Sequence, residues 1–144
     1  MTNLDEANYA GNVGPRTAWS QLDDDPDAVL IDVRTTAEWQ YVGLPDLTLL
    51  NKQVVQISWQ NFPDMDVNSN FVDRLAQVGL RPTQSLFFLC RSGVRSKHAA
   101  IATTLAGFER CLNILGGFEG DADVHGHRGT LSGWKATGLA WRQN

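Results

Sequence analysis

Long hydrophobic runs are missing from this chain: nothing approaches the ~18 consecutive apolar residues of a membrane span, which excludes a spanning helix. Basic residues are outnumbered, with 12 Lys and Arg against 16 Asp and Glu, and the net charge is −4. Neither nucleic acid nor an anionic membrane surface is invited by that balance. Cysteine is scarce, and two thiols, Cys90 and Cys111, build no disulfide framework. The opening "MTNLDEANYAGN" has neither a basic start nor an apolar core, so it does not read as a secretory signal. The expected location is the cytoplasm. Internal repeats, low-complexity tracts and linkers are lacking as well.

What is present suits a single packed domain over 1–144, with a core spanning about 10–142. Apolar residues make up 42% of the 144, and there are five tryptophans. Short apolar runs at 28–33 ("AVLIDV"), 85–90 ("SLFFLC") and 111–115 ("CLNIL"), with a weaker one at 52–58, read as strands buried on both faces. Helical patterns lie between them. Residues 15–22 begin with Pro15, and 35–43 have Thr35 as a candidate cap and Gly43 as a stop. Residues 69–79 put Phe71, Val72, Leu75 and Val78 on one face, and 95–108 carry a stripe of small apolar residues. Alternation of this kind predicts βαβ units and an open parallel sheet, an α/β fold with helices on both faces. The tail from Gly116 is glycine-rich; it predicts a long loop, a short helix near 132–138, and an end packed by Trp134 and Trp141.

The chemistry gathers at "CRSGVRS", residues 90–96. Ligand sites in open α/β sheets lie beyond the carboxyl ends of strands. Cys90 ends a strand, and a helix begins about five residues later. The connecting loop of Arg91, Ser92, Gly93, Val94, Arg95 and Ser96 is therefore expected to aim backbone N–H groups into a concavity at a helix N-terminus. Gly93 gives a tight loop its backbone freedom. Such a field favours thiolate, as do nearby Arg91 and Arg95, so Cys90 reads as a nucleophile. Cys111 has no cationic loop after it and reads as core.

These residues resemble the rhodanese-like sulfurtransferase family over about 10–142. "CRSGVRS" is similar to the family's active-site loop. "LIDVRTTAEW" (30–39) resembles its upstream signature, Asp-x-Arg followed by an acid and an aromatic. Residues 113–141 resemble its closing segment, with Gly-Gly after the last strand and Gly-Trp later. The resemblance implies five parallel strands in spatial order 1-5-4-2-3. It implies that Cys90 takes a sulfane sulfur from a small anionic donor, holds it as a persulfide, and passes it to cyanide or a thiol. A protein sulfur acceptor is a further partner; no metal or organic cofactor is implied. Arg91 and Arg95 resemble the thiosulfate-using members, and residues 91–96 are the expected donor-binding cradle.

Two other readings share the thiolate. One is a persulfide carrier or regulatory module serving a protein partner. The other is a phosphatase or arsenate reductase, disfavoured because the spacing is Cys90-x4-Arg95 with Leu89 before the cysteine, where those enzymes carry Cys-x5-Arg. The sequence departs from the family near 43–47, where "GLPDL" lacks the usual histidine; altered packing of the next strand is expected. Asp32 and Arg34 are expected to support the site, Asp32 by satisfying loop backbone and Arg34 by pairing with an acid such as Glu38. His98 reads as a surface residue. His125 and His127 lack a third well-spaced ligand and do not make a metal site. Arg128 is a candidate for screening an anionic donor.

Overall fold

The computed structural model describes residues 9–143. Five parallel strands form the sheet: β1 (Gly11–Val13), β2 (Val29–Asp32), β4 (Val55–Gln56), β7 (Ser85–Leu89) and β8 (Arg110–Ile114). Their spatial order is β1-β8-β7-β2-β4, which numbered within the sheet alone is 1-5-4-2-3, as expected. The short strands β3 (Leu44–Pro45) and β9 (Trp141–Arg142) pair antiparallel outside it, as do β5 (Gln60–Asn61) and β6 (Asp66–Val67). Four helices accompany the sheet: α1 (Pro15–Asp24), α2 (Thr36–Tyr41), α3 (Phe71–Gln77) and α4 (Val94–Leu105); a one-turn α5 (Gly133–Ala136) follows β8. No helix among the described residues is long and apolar enough to cross a membrane.

Alternation along β7 divides the core in two. Leu86, Phe88 and Cys90 face one side, with Phe71 and Leu75 of α3 and Ala99 and Ala100 of α4. Phe87 and Leu89 face the other, with Ala18 and Leu22 of α1, Phe118 and Trp134. The small residues Ala99 and Ala100 let α4 lie close on the sheet, so its N-terminus stops beside the end of β7. Trp134 is fully buried and donates from its indole to the Ala140 carbonyl at 2.8 Å; Trp141 meets the Phe118 ring edge-on at 6.0 Å.

Two differences from the sequence reading have plain causes. β1 lies in "GNV", too short and polar to show a strand pattern, and it pairs because Asn12 and Val13 run alongside Asn113 and Ile114. The 52–58 stretch pairs only through β4, two residues in register with Ile31 and Asp32 that form the sheet edge beside β2, while residues 44–45 pair with β9 outside the main sheet.

Candidate active site

Cys90 leaves β7 with its side chain on the α3/α4 face and 1% exposed. Gly93, with φ 109°, turns the chain into α4 as its N-cap. That conformation belongs to glycine. It brings the Gly93 N–H to 3.1 Å from Cys90 Sγ. From the first turn of α4, the buried Ser96 hydroxyl lies 3.2 Å from the same sulfur and 2.5 Å from Asn113 Oδ1. Asn113 is fixed in orientation because its amide NH₂ donates to Asn12 Oδ1 and the Gly93 carbonyl. Ser96 has one proton for two acceptors. Beside a neutral thiol it serves Asn113 and accepts from S–H; beside a thiolate it can turn and donate to sulfur.

The closing segment holds the loop from outside. Phe118 N–H donates to the Cys90 carbonyl at 2.7 Å, and Glu119 N–H to the Arg91 carbonyl at 2.9 Å. Gly117 allows this approach: a Cβ built there would press into the Cys90 carbonyl oxygen and the Arg91 carbonyl, and its φ is +59°. Under the loop, Arg34 is fully buried. Its Nε donates to Asp32 Oδ1 at 3.0 Å and its terminal nitrogen to Asp32 Oδ2 and the Gly43 carbonyl, each at 2.7 Å, while its guanidinium lies 4.3 Å from the Phe118 ring centre.

Beside the loop, Arg91 and Arg95 line a cavity of about 350 Å³, the mouth, together with Glu38, Val42, Gln60, Met65 and Glu119; Cys90 itself is not among its lining residues. Arg95 donates to both oxygens of Glu38, at 2.7 and 2.9 Å. Burial alone would push the Glu38 carboxyl up, but Arg95's hydrogen bonds and charge, with help from Thr35, hold it below its ordinary value. The same balance works on Arg95: burial opposes its charge, and the hydrogen bond and charge of Glu38 overcome it and raise its pKa.

This geometry corrects one expectation. Arg34 pairs with Asp32, not with Glu38: positions two apart on an extended strand end share a face. The loop N–H that Asp32 satisfies is that of Arg34 itself, at 3.1 Å. Glu38 is turned elsewhere by its place in the α2 capping box with Thr35 and reaches across to Arg95. Ser92 lies in the loop, and the largely exposed Val94 is the first residue of α4. His98 is exposed, and Arg128 donates to the Gly120 carbonyl at 2.6 Å. Asp123 accepts from the backbone N–H of both His125 and His127, organising its own turn. Asn113, Phe118 and Glu119 escaped sequence reasoning. The spacing Thr35-x-x-Glu38 was the available sign that Glu38 starts a helix and is held in place.

A family model described as the STR4 middle domain matches residues 10–144. Relatives at sequence level include two of differing name. The uncharacterized protein RC0915 of Rickettsia conorii is 39% identical over 132 residues, covering 91% of this chain and 96% of that protein. A sulfurtransferase of Allochromatium vinosum is 31% identical over 98 residues, covering 67% and 74%. Among solved structures, Rv0390 from M. tuberculosis matches with a TM-score of 0.87 at 48% identity, over 94% of this chain and 99% of that one. The rhodanese-like domain of the Alr3790 protein from Anabaena matches with a TM-score of 0.62 at 16% identity, over 92% and 79%, a likeness of fold. The chain belongs to the rhodanese-like family. Within that family, sulfur transfer is the activity carried by the relatives that have one in their names. The segment that resembles the family's loop runs from Cys90, just after β7, into the first turn of α4 at Ser96.

Proposed function

We propose that the protein is a sulfurtransferase working through Cys90, with thiosulfate or a similar sulfane donor. The observation that carries the reading is the environment of Sγ: a strand-end cysteine with the Gly93 N–H at 3.1 Å and the Ser96 hydroxyl at 3.2 Å, at the N-terminus of a twelve-residue helix. Charge on sulfur is favoured by such donors and by the helix field. The Cys90 thiolate attacks the outer sulfur of thiosulfate; a new S–S bond forms, and sulfite leaves with the electron pair of the old one. Cyanide or a thiolate then attacks the outer sulfur, and Cys90 recovers its electron pair as thiolate.

Support for sulfur over phosphate comes from Arg95. A phosphate-binding loop needs its arginine to grip the equatorial oxygens, and here the Arg95 fork grips Glu38. The test is intact mass after incubation with thiosulfate. One sulfur atom is gained per chain and lost on adding cyanide, and Cys90→Ser gains none. Aryl-phosphate turnover exceeding sulfur transfer would replace this reading with a phosphatase.

A further inference from the structure

Four charged side chains line the mouth: Arg91, Arg95, Glu38 and Glu119. Two are cations and two are anions, so the mouth is electrically balanced although the loop sequence is cationic. The balance is not diffuse. Glu38 and Arg95 are 18% and 17% exposed, and both carboxylate oxygens are engaged. A bidentate, half-shielded pair of this kind is the strong form of the contact. Two of the five guanidinium N–H groups are thereby committed before any donor arrives.

We infer that Glu38 is a specificity-determining residue of the site: by holding the Arg95 fork it weakens the grip on dianionic donors such as thiosulfate and biases the site toward thiol persulfides. This rests on sulfur transfer through Cys90. Thiosulfate carries two charges on a compact oxyanion and needs cations at its sulfonate end. A thiol persulfide, R–S–SH, presents an uncharged or singly charged sulfur on a carbon chain. Transfer from it is balanced without an oxyanion: the Cys90 thiolate attacks the outer sulfur, Cys90–S–SH forms, and RS⁻ leaves with the S–S electron pair. Val42 and the half-exposed Met65 offer apolar contact for the carbon chain, and Arg91 remains exposed at the rim.

Glu38 also accepts from the Thr35 N–H and hydroxyl at the start of α2. Glutamine keeps an oxygen for that cap while removing the charge, so Glu38→Gln is the informative variant. The experiment compares kcat/KM for thiosulfate and for cysteine persulfide in wild type, Glu38→Gln, Arg95→Ala and the double variant. The expected result is a rise of about tenfold for thiosulfate in Glu38→Gln and a change under about threefold for the persulfide. The thiosulfate gain disappears when Arg95 is also alanine, because it acts through the freed fork and not through the loss of one distant charge. Inhibition by sulfate reads the same anion site without turnover, and its inhibition constant falls in Glu38→Gln. An unchanged ratio of the two donors together with unchanged sulfate inhibition overturns the assignment, as does a gain that survives in the double variant. Failure of the wild type to take sulfur from either donor strikes instead at sulfur transfer itself, so the two failures are separable.

Discussion

Cys90 and Cys111 are both buried and lie in the same half of the core, yet their chemistry differs because of what surrounds each sulfur. Cys90 has an N–H and a hydroxyl within hydrogen-bond distance. Cys111 sits inside β8, and burial pushes its thiol up to about 11. Cys90→Ser therefore abolishes sulfur uptake, and Cys111→Ser retains most of it; equal losses would make Cys111 a redox partner. The raised thiol also has a thermodynamic signature. An unfolded cysteine releases its proton near pH 8.5, roughly, while the folded one keeps it. The folded state then binds more protons, so stability falls as pH rises from about 8.5 toward 11. Cys111→Ala flattens that alkaline decline, read as the difference in unfolding free energy between pH 7.5 and pH 10; an identical decline in both proteins refutes it. Glu38 has the opposite sign. Its folded pKa is depressed, so its contribution is complete above the ordinary glutamate value of about 4.3 and is lost as pH falls through the folded value. The Tm gap between wild type and Glu38→Gln is widest near neutrality and closes in acid. A gap independent of pH would mean that only the cap of α2 matters.

At the scale of elements, the site is a junction of three segments: β7 running into α4, the capped start of α2, and the "GGFEG" return that clamps the loop. The clamp is the least forgiving. Gly117→Ala puts a methyl group against the Cys90 and Arg91 carbonyls and forces a side chain into the left-handed region, itself costing about 1–2 kcal/mol. Because the obstacle is backbone, the loop must move. The expected outcome is a large loss of sulfur transfer with a lowered Tm and a preserved far-ultraviolet spectrum; unchanged activity would show that the clamp does not position Cys90. Gly79→Ala is the control for backbone strain alone: its φ is +92° but a Cβ there meets nothing within 4 Å, so it lowers Tm and leaves sulfur transfer intact. The sequence made the β7–α4 junction readable, since an apolar run, a glycine and a small-residue helix each leave a local pattern. β1 did not show, because three residues have no periodicity and the strand exists through its neighbour β8. The partner of Arg95 did not show either. Glu38 lies 57 positions away, and which arginine it meets depends on α2 being capped at Thr35, a fact of packing rather than spacing. Arg34 curling back onto Asp32 is the complementary case: a local pair, hidden by the more conspicuous acid four residues on.

For the molecule as a whole, the decisive quantity is the sign of the field a donor feels on approach. The chain carries a net charge of −4, and the mouth itself balances two cations against two anions. A loop read in isolation, with Arg91, Arg95 and Lys97 inside seven residues, would attract thiosulfate, and added salt would weaken its use. The folded arrangement reverses that expectation. At an ionic strength near 0.01 M the Debye length is about 30 Å, so an incoming dianion senses the entire acidic surface; near 0.15 M it is about 8 Å, and only the balanced mouth remains in view. Salt therefore removes a long-range repulsion while taking away little short-range attraction. The expected kcat/KM of wild type for thiosulfate stays level or rises as sodium chloride goes from about 10 to 150 mM, with the donor kept well below KM. In Glu38→Gln the mouth gains a net positive charge, and the same titration turns downward. Cyanide as acceptor is held saturating in both, so that the slope belongs to the first half-reaction. A steep fall in the wild type would show that Arg95 faces the donor despite Glu38, and that the loop's local charge governs the encounter.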